Sequence, residues 1–456
     1  MLEFIAYASI VLLPPIRESV GFLFMKIRVA TLCSGFDSQC LALERLKRNF
    51  PDFDYELVAW AEFDPESKQP LEKQPAVIAH NALFPQWSDR NMGDITTADW
   101  SKVGEVDLLT YSTPCTDISN AGRQMGAEKD SGTRSSIIWY TEKAIRQLRP
   151  KYLLMENVAN FVSKAHINTF KAWYSLVESL GYNNFAQVLN ATSYGIPQNR
   201  ERIFLVSIRK DISDKYHFPQ PIKLEKRFKD VLESNVDEKY YLSQKGVEYI
   251  SKRLGVYCKI NGEVSATLTR NGIENWTGSF VSVPFNDQNG VARTFKKQYA
   301  NVGGANMVIN DSFGASGIID IAEPKVIQVG NIYPDTDKFK NRTMGRVYDT
   351  EGIAPTINTC GGGGREPKVV VGDVTSDNLL ELVQAGLVRI RKITPREAFR
   401  LMDLEESDID TLLLSGLANT SLYQLAGNSI CVGVLYHLFR KMFIETENES
   451  EQMALF

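Results

Sequence analysis

Between Ile27 and about Ile208, short apolar runs alternate with amphipathic stretches, and this rhythm limits the possible folds more than any other feature. Ile27–Leu32 is followed by Leu41–Leu46, Leu57–Ala61 by Glu66–Ala79, Val106–Tyr111 by Ile137–Leu148, and Tyr152–Met155 by Phe170–Leu180. Short apolar runs separated by helical periodicity read as βαβ units, which specify a doubly wound α/β domain around a parallel sheet. Gly181, directly after Leu180, supplies a helix stop. Two further runs, Phe185–Leu189 and Arg202–Ile208, lie close enough in the chain to pair without a crossover helix.

After about Lys210 the rhythm dissolves into short strand-like pieces, glycines and polar turns until about Val388. Ser265–Thr269, Ala292–Phe295 and Ala354–Thr359 share an Ala-x-Thr-apolar core at unequal spacing, which argues against a solenoid. They fit recurring loops or hairpins in a second, smaller β-rich domain over residues 210–388. Residues 389–420 then read as a connecting helical segment that includes Pro395–Met402. Residues 421–446 read as a C-terminal helix, with Ile430–Phe443 as its apolar stretch, and 447–456 as a tail. The apolar run Phe4–Leu13 is too short to span a membrane and lacks a basic flank, so 1–24 reads as a dispensable extension before the strand that opens at Met25.

Composition narrows the class. With 43% hydrophobic and 23% charged residues, the chain is neither disordered nor fibrous. Its six cysteines include no C-x-x-C pair, which leaves no zinc ribbon or dithiol site made from sequence neighbours and implies free thiols in a reducing compartment. The net charge of −4 conceals a segregation. Residues 195–400 carry 30 basic and 24 acidic side chains, whereas the rest of the chain carries 21 and 31. A basic excess in the later region is compatible with nucleic acid but does not establish it.

In a doubly wound sheet, ligands gather beyond the carboxyl ends of the strands. That rim would hold Cys33-Ser34-Gly35, Glu62, Asp94, Thr113-Pro114-Cys115 and Glu156-Asn157. Taken singly, Cys115 could be a buried thiol in a turn and Glu156 a helix-capping acid. The loop after the first strand has one glycine where a dinucleotide fingerprint needs three, so a cofactor without phosphates suits it better. Two acids on the rim would also suit a cationic ligand such as a sulfonium.

Five strings, taken in order, carry a specific resemblance. Leu109–Gly122, Met155–Val158, Gly195–Phe204, Ile393–Leu401 and Gly427–Ile430 resemble the ordered motifs of the DNA cytosine-5 methyltransferases of bacteria and phages. The resemblance runs from about Arg28 to Phe443, but it does not identify the residues between Lys210 and Val388, where that family places its variable target-recognition region.

The resemblance implies an S-adenosylmethionine-dependent methyltransferase fold, with 25–209 as the catalytic and cofactor-binding domain and 210–388 as the target-recognition domain. Cys115 would be the nucleophile, Glu156 the acid at ring nitrogen 3 of cytosine, and Arg202 the grip on the base. Ser34, Gly35, Phe36, Glu62, Phe63, Asp94, Ile95, Asn428 and Ser429 would bind S-adenosyl-L-methionine. Pro114, Ser119, Asn157 and Arg200 would serve the substrate, with Arg200 supporting the loop or contacting phosphate. No metal is implied. The implied partner is double-stranded DNA, with a flipped-out base and a possible cognate restriction endonuclease acting on the same site. A monomer in the bacterial cytoplasm is expected, away from membranes. A tRNA cytosine methyltransferase and a catalytically idle homologue are the competing readings. The sequence departs from the family pattern at Cys33, which replaces phenylalanine, at Asp37, which replaces the second glycine, and at Thr113 before Pro-Cys.

Overall fold

The computed structural model describes residues 25–114, 129, 131, 134–241, 328–331, 346–348, 354–355, 368–371 and 389–445. Cys115, Ser119, the 1–24 extension, the 447–456 tail and the segments Ser265–Thr269 and Ala292–Phe295 lie outside these.

The first half folds as β1 (Met25–Leu32), α1 (Ser38–Asn49), β2 (Phe53–Ala61), α2 (Pro75–Leu83), β3 (Leu108–Tyr111), α3 (Thr141–Leu148), β4 (Tyr152–Val158), α4 (Ile167–Ser179) and β5 (Tyr182–Asn190). The short β6 (Gln198–Asn199) and the long β7 (Glu201–Arg209) follow. One six-stranded sheet has the order β2-β1-β3-β4-β7-β5. Its first four strands are mutually parallel, and β7 runs antiparallel between β4 and β5. The sheet is therefore mixed. The expected pairing of the last two runs without a crossover helix takes the form of antiparallel strands, as a short connection requires.

Neighbouring residues on each strand enter opposite cores. Val29, Leu108, Leu154 and Val206 face one apolar cluster, while Ala30, Leu109, Leu153 and Leu205 face the other. This is the period-2 alternation of a sheet covered on both sides. On α4, Phe170, Trp173 and Val177 recur at helical spacing and are fully buried in the second cluster, each contributing about 2–3 kcal/mol by leaving water.

Two helices begin later than their apolar patterns suggest. The Glu66–Ala79 stretch becomes a 3-10 turn at Leu71–Lys73 and then α2, because Pro75 cannot donate within a helix and settles at its first turn. The start of Ile137–Leu148 is likewise a 3-10 segment, Arg134–Tyr140, before α3.

In the later region, β8 (Gln328–Asn331), β9 (Arg346–Tyr348), β11 (Lys368–Val371) and β12 (Arg389–Lys392) form a four-stranded sheet in the order β12-β11-β9-β8. Between them in the chain, β10 (Ala354–Pro355) pairs with β6 of the first half. Four helices close the described chain: α5 (Pro395–Arg400), α6 (Glu406–Leu414), α7 (Asn419–Asn428) and α8 (Val432–Phe443). They return to the first half, where α8 packs against α1 and their apolar residues join the same core.

The entry into α5 is fixed by Thr394, whose hydroxyl accepts from Glu397 N while the Glu397 carboxylate accepts from Thr394 N. That carboxylate also holds Arg391 of β12 at 2.7 Å in a fully buried ion pair. The four-stranded sheet is thereby fastened to the helices. Among the described residues, no helix is long and apolar enough to cross a membrane.

Candidate active site

Glu156 and Arg202 form the centre of the rim. In the antiparallel pairing of β4 and β7, Glu156 lies opposite Phe204 and Val158 opposite Arg202. Residues two apart share a face, so Glu156 and Arg202 are diagonal neighbours on one side of the sheet. Arg202 Nε reaches Glu156 Oε1 at 3.0 Å, and both side chains are largely buried. Burial pushes the Glu156 carboxyl above its ordinary value, against the opposing pull of Arg202 and then Arg200. A carboxyl raised in this way keeps a proton to higher pH than an exposed one.

Asn157, the next residue along β4, is turned the other way. Its Nδ2 donates to Thr113 O at 3.3 Å, while its Oδ1 accepts from Val158 N. It thus anchors the turn Thr113-Pro114, directly before Cys115. At the same strand end, Ser112 Oγ donates to Cys33 O at 3.0 Å and ties this turn to the one after β1. Nothing in the structure explains the Thr113 hydroxyl, which is buried without a hydrogen-bond partner.

Arg200 points inward. It is 3% exposed, and its Nη2 donates to Gly427 O at 3.0 Å and Ser429 O at 2.6 Å. These carbonyls belong to the C-terminal end of α7 and its cap, where a cation is favoured. In this conformation Arg200 fastens the C-terminal segment to the sheet rather than facing a phosphate.

The second half of the rim consists of turns. Cys33 and Gly35 adopt left-handed backbone conformations, and a Cβ at Gly35 would meet open space, so glycine is there for its backbone. Gly35 N donates to Glu62 Oε2 at 2.8 Å, joining the turn after β1 to the residue after β2. Asn91, which sequence reasoning missed, braces Glu62 from outside by accepting from Glu62 N at 3.2 Å. Phe63 is 39% exposed at the mouth of the rim. Asp94 Oδ1 accepts from Thr96 N at 2.9 Å, and Ile95 beside it is buried.

Asn428 and Ser429 return to this side of the fold. Ile430 N donates to Ser38 Oγ at 3.3 Å, which joins their segment to the start of α1. Phe36, by contrast, is a core residue that meets Phe399 edge-to-face at 5.8 Å.

The turns suit a cationic donor carrying a ribose and an adenine. Ser34 Oγ is buried without a hydrogen-bond partner, the backbone at Gly35 is open, and an aromatic face is exposed at Phe63. The local field is negative. The Cys33 thiol is pushed far up by burial, then by the charges of Glu62 and Asp94.

The chain matches the model of the C-5 cytosine-specific DNA methylase family over residues 27–444 and belongs to that family. It is accordingly a DNA methyltransferase acting at cytosine carbon 5. It is 33% identical to the type II methyltransferase M2.ScrFI of Lactococcus lactis subsp. cremoris over 359 residues, covering 78% of this chain and 71% of the other. It is 26% identical over 471 residues to the orphan methyltransferase M.SPRI of Bacillus phage SPR, covering 93% of this chain and all of the relative.

Among solved structures, the Entamoeba histolytica methyltransferase EhMeth shares the fold with a TM-score of 0.55 at 13% identity, covering 92% of this chain and 98% of that one. The S. pombe Dnmt2 methyltransferase does so with a TM-score of 0.53 at 16% identity, covering 91% and 97%.

Proposed function

We propose that the protein transfers the methyl group of S-adenosyl-L-methionine to carbon 5 of a cytosine flipped out of a specific duplex DNA sequence, through a covalent adduct with Cys115. The observation that carries this reading is the buried Glu156–Arg202 pair, which lies one residue from the Asn157 anchor of the Thr113-Pro114 turn.

Carbon 5 is a poor nucleophile within an aromatic ring. Addition of the Cys115 thiolate to carbon 6 relieves this by forming a carbon–sulfur bond and moving electron density toward nitrogen 3 and carbon 5. Glu156, whose carboxyl burial pushes above its ordinary value, donates to nitrogen 3, and Arg202 grips the base beside it. S-adenosylmethionine supplies an electrophilic methyl on its sulfonium. Carbon 5 takes that methyl as its bond to sulfur breaks, leaving the neutral thioether; loss of the carbon 5 proton to a base then expels the Cys115 thiolate, and nitrogen 3 returns its proton to Glu156, which restores the aromatic ring. Ser34 and Gly35 would hold the methionine part, Glu62 the ribose, Phe63 the adenine face, Asp94 with Ile95 the adenine edge, and Asn428 with Ser429 the returning wall.

A base inside a duplex is out of reach of such a pocket, so the DNA must be gripped from the other side while the base is extruded. We assign this to residues 210–388, whose described part includes strands β8, β9 and β11 and which lie within the basic region. The protein would act alone on DNA in the cytoplasm, with or without a restriction endonuclease of the same specificity.

The decisive experiment traps the adduct. Fluorine at carbon 5 permits attack and methyl transfer but cannot leave as a proton does, so elimination stalls. A denaturation-resistant complex with fluorinated duplex DNA is expected, dependent on S-adenosylmethionine and absent in Cys115→Ala. Trapping that persists in Cys115→Ala overturns the nucleophile assignment. Trapping only on fluorinated RNA replaces DNA by RNA as the substrate.

A further inference from the structure

Asp37 stands where the family pattern has its second glycine, and the chain keeps the glycine-like backbone there, with φ 68° and ψ 58°. A left-handed conformation costs a non-glycine residue about 1–2 kcal/mol. Its side chain is also fully buried, directly behind the Ser34-Gly35 turn, and its amide closes that turn by donating to Ser34 O at 2.8 Å. Asp37 Oδ2 accepts from Thr31 Oγ1 at 2.7 Å, and the same oxygen lies 3.7 Å from His80 Nε2.

His80 is equally buried. It stacks on Trp60 with ring centroids 3.6 Å apart, and its Nε2 has no hydrogen-bond partner. Trp60 precedes Glu62 by two residues on the β2 arm. Gln74, which caps α2, accepts from Asp64 N at 2.8 Å on the same arm.

We infer that Asp37 and His80 are a positioning pair for the methyl-donor site, two buried titratable groups packed 3.7 Å apart that together hold the Ser34-Gly35 turn against the arm carrying Glu62. This rests on the assignment of the donor to that rim.

The surrounding groups support one proton and no more. Asp37 is faced by Thr31 from β1, Cys40 from α1, Tyr55 and Glu62 from β2 and its end, and His80 from α2; none is a lysine or arginine. Burial pushes the Asp37 carboxyl up to about 7 and the His80 imidazole down to about 4. Between these values the carboxylic acid faces a neutral imidazole. Above them a buried carboxylate is left beside Glu62 with no cation to answer it. Such a charge is costly in a low-dielectric site, and it falls directly on the turn that Asp37 N closes. Donor binding should therefore weaken as pH rises through neutrality.

The test is calorimetric binding of S-adenosylhomocysteine to the full chain from pH 6 to pH 8. This probe lacks the sulfonium charge, so attraction of a cation to a newly formed carboxylate does not mask the result. Wild type is expected to bind about tenfold more weakly at pH 8 than at pH 6, the linkage of roughly one pKa unit. Asp37→Asn and Asp37→Gly should both flatten the profile. Asp37→Gly carries the family's own residue and serves if the asparagine variant does not fold, as judged by thermal melting. His80→Asn should move the transition to lower pH, because an amide in place of the unpaired imidazole can donate to the carboxylate.

A flat wild-type profile, or a slope that survives in both Asp37 variants, overturns the inference, and an unmoved transition in His80→Asn removes His80 from the pair. Absence of binding in every variant sinks the donor-site assignment and the inference with it.

Discussion

The two halves of the rim are built differently. On the side we assign to the base, Glu156, Asn157 and Arg202 sit within strands, and the pairing of β4 with β7 sets their separation. On the side we assign to the donor, Ser34, Gly35, Glu62 and Phe63 sit in turns just past strand ends and Asp94 in the connection between α2 and β3, held by contacts such as Gly35 N to Glu62 and Glu62 N to Asn91. Bond-making needs groups fixed to a fraction of an ångström, which strand register supplies. Wrapping an extended ligand needs open backbone and varied side chains, which turns supply. Substitutions on the base side should therefore act on the chemical step, and those on the donor side on binding.

The largest break in that contrast should come from Glu156→Gln. With the proton donor to nitrogen 3 lost, kcat should fall by about 10²–10⁴ while binding of donor and DNA changes little. Single-turnover rates and separate binding titrations check this; equal loss of DNA affinity would place Glu156 in binding instead.

A second prediction uses the raised Glu156 carboxyl. Because the proposed mechanism uses the protonated form, the chemical step should slow by about tenfold per pH unit once pH exceeds the carboxyl's pKa. Arg202 opposes the upward push of burial. Arg202→Met should therefore slow the reaction and also move this limb to higher pH. A limb that stays in place or moves down in the pH–rate profile would show that Arg202 does not govern the proton on Glu156.

On the donor side, Glu62→Ala removes the acceptor for Gly35 N together with a local negative charge. Donor affinity should drop about tenfold or more, equivalent to a lost charged hydrogen bond of about 1.5–3 kcal/mol, with DNA affinity preserved. Parallel titrations with donor analogue and duplex DNA separate the two.

The smallest effect is expected where the halves meet. Asn157→Ala loses the hydrogen bond to Thr113 O and the one from Val158 N, each worth about 0.5–1.5 kcal/mol in denaturant unfolding, and should slow trapping on fluorinated DNA without changing donor binding. Unchanged trapping would mean the Thr113-Pro114 turn needs no anchor.

The strands of the first half could be read from sequence because each is a compact apolar run bounded by turn residues. The helix starts were less legible. Pro75 delays α2 and a 3-10 segment precedes α3, both matters of backbone hydrogen bonding that hydrophobic period does not report. In the C-terminal region the reading gave one connecting segment and one helix, whereas α7 spans the expected boundary between residues 420 and 421.

The site shows the same division. Glu156-Asn157 and Glu62 could be found as the ends of apolar runs. Asn91, Ser112 and His80 could not, since each acts through a partner brought near only by folding. Its motif marks Arg200 as a substrate or loop residue, but nothing in the sequence connects it with carbonyls more than two hundred positions away.

The reversed direction of β7 has a consequence for how the chain can vary in length. Because β7 starts where β4 ends, Arg202 meets Glu156 at the beginning of its strand, and the intervening α4 and β5 contribute only through the ladder they leave behind. Residues can be inserted or lost in the connections without disturbing the pair. A slip of one residue in the β4–β7 ladder is different in kind, because it would send the guanidinium to the opposite face of the sheet. The base-side machinery is thus tolerant of added length and intolerant of a shift in phase.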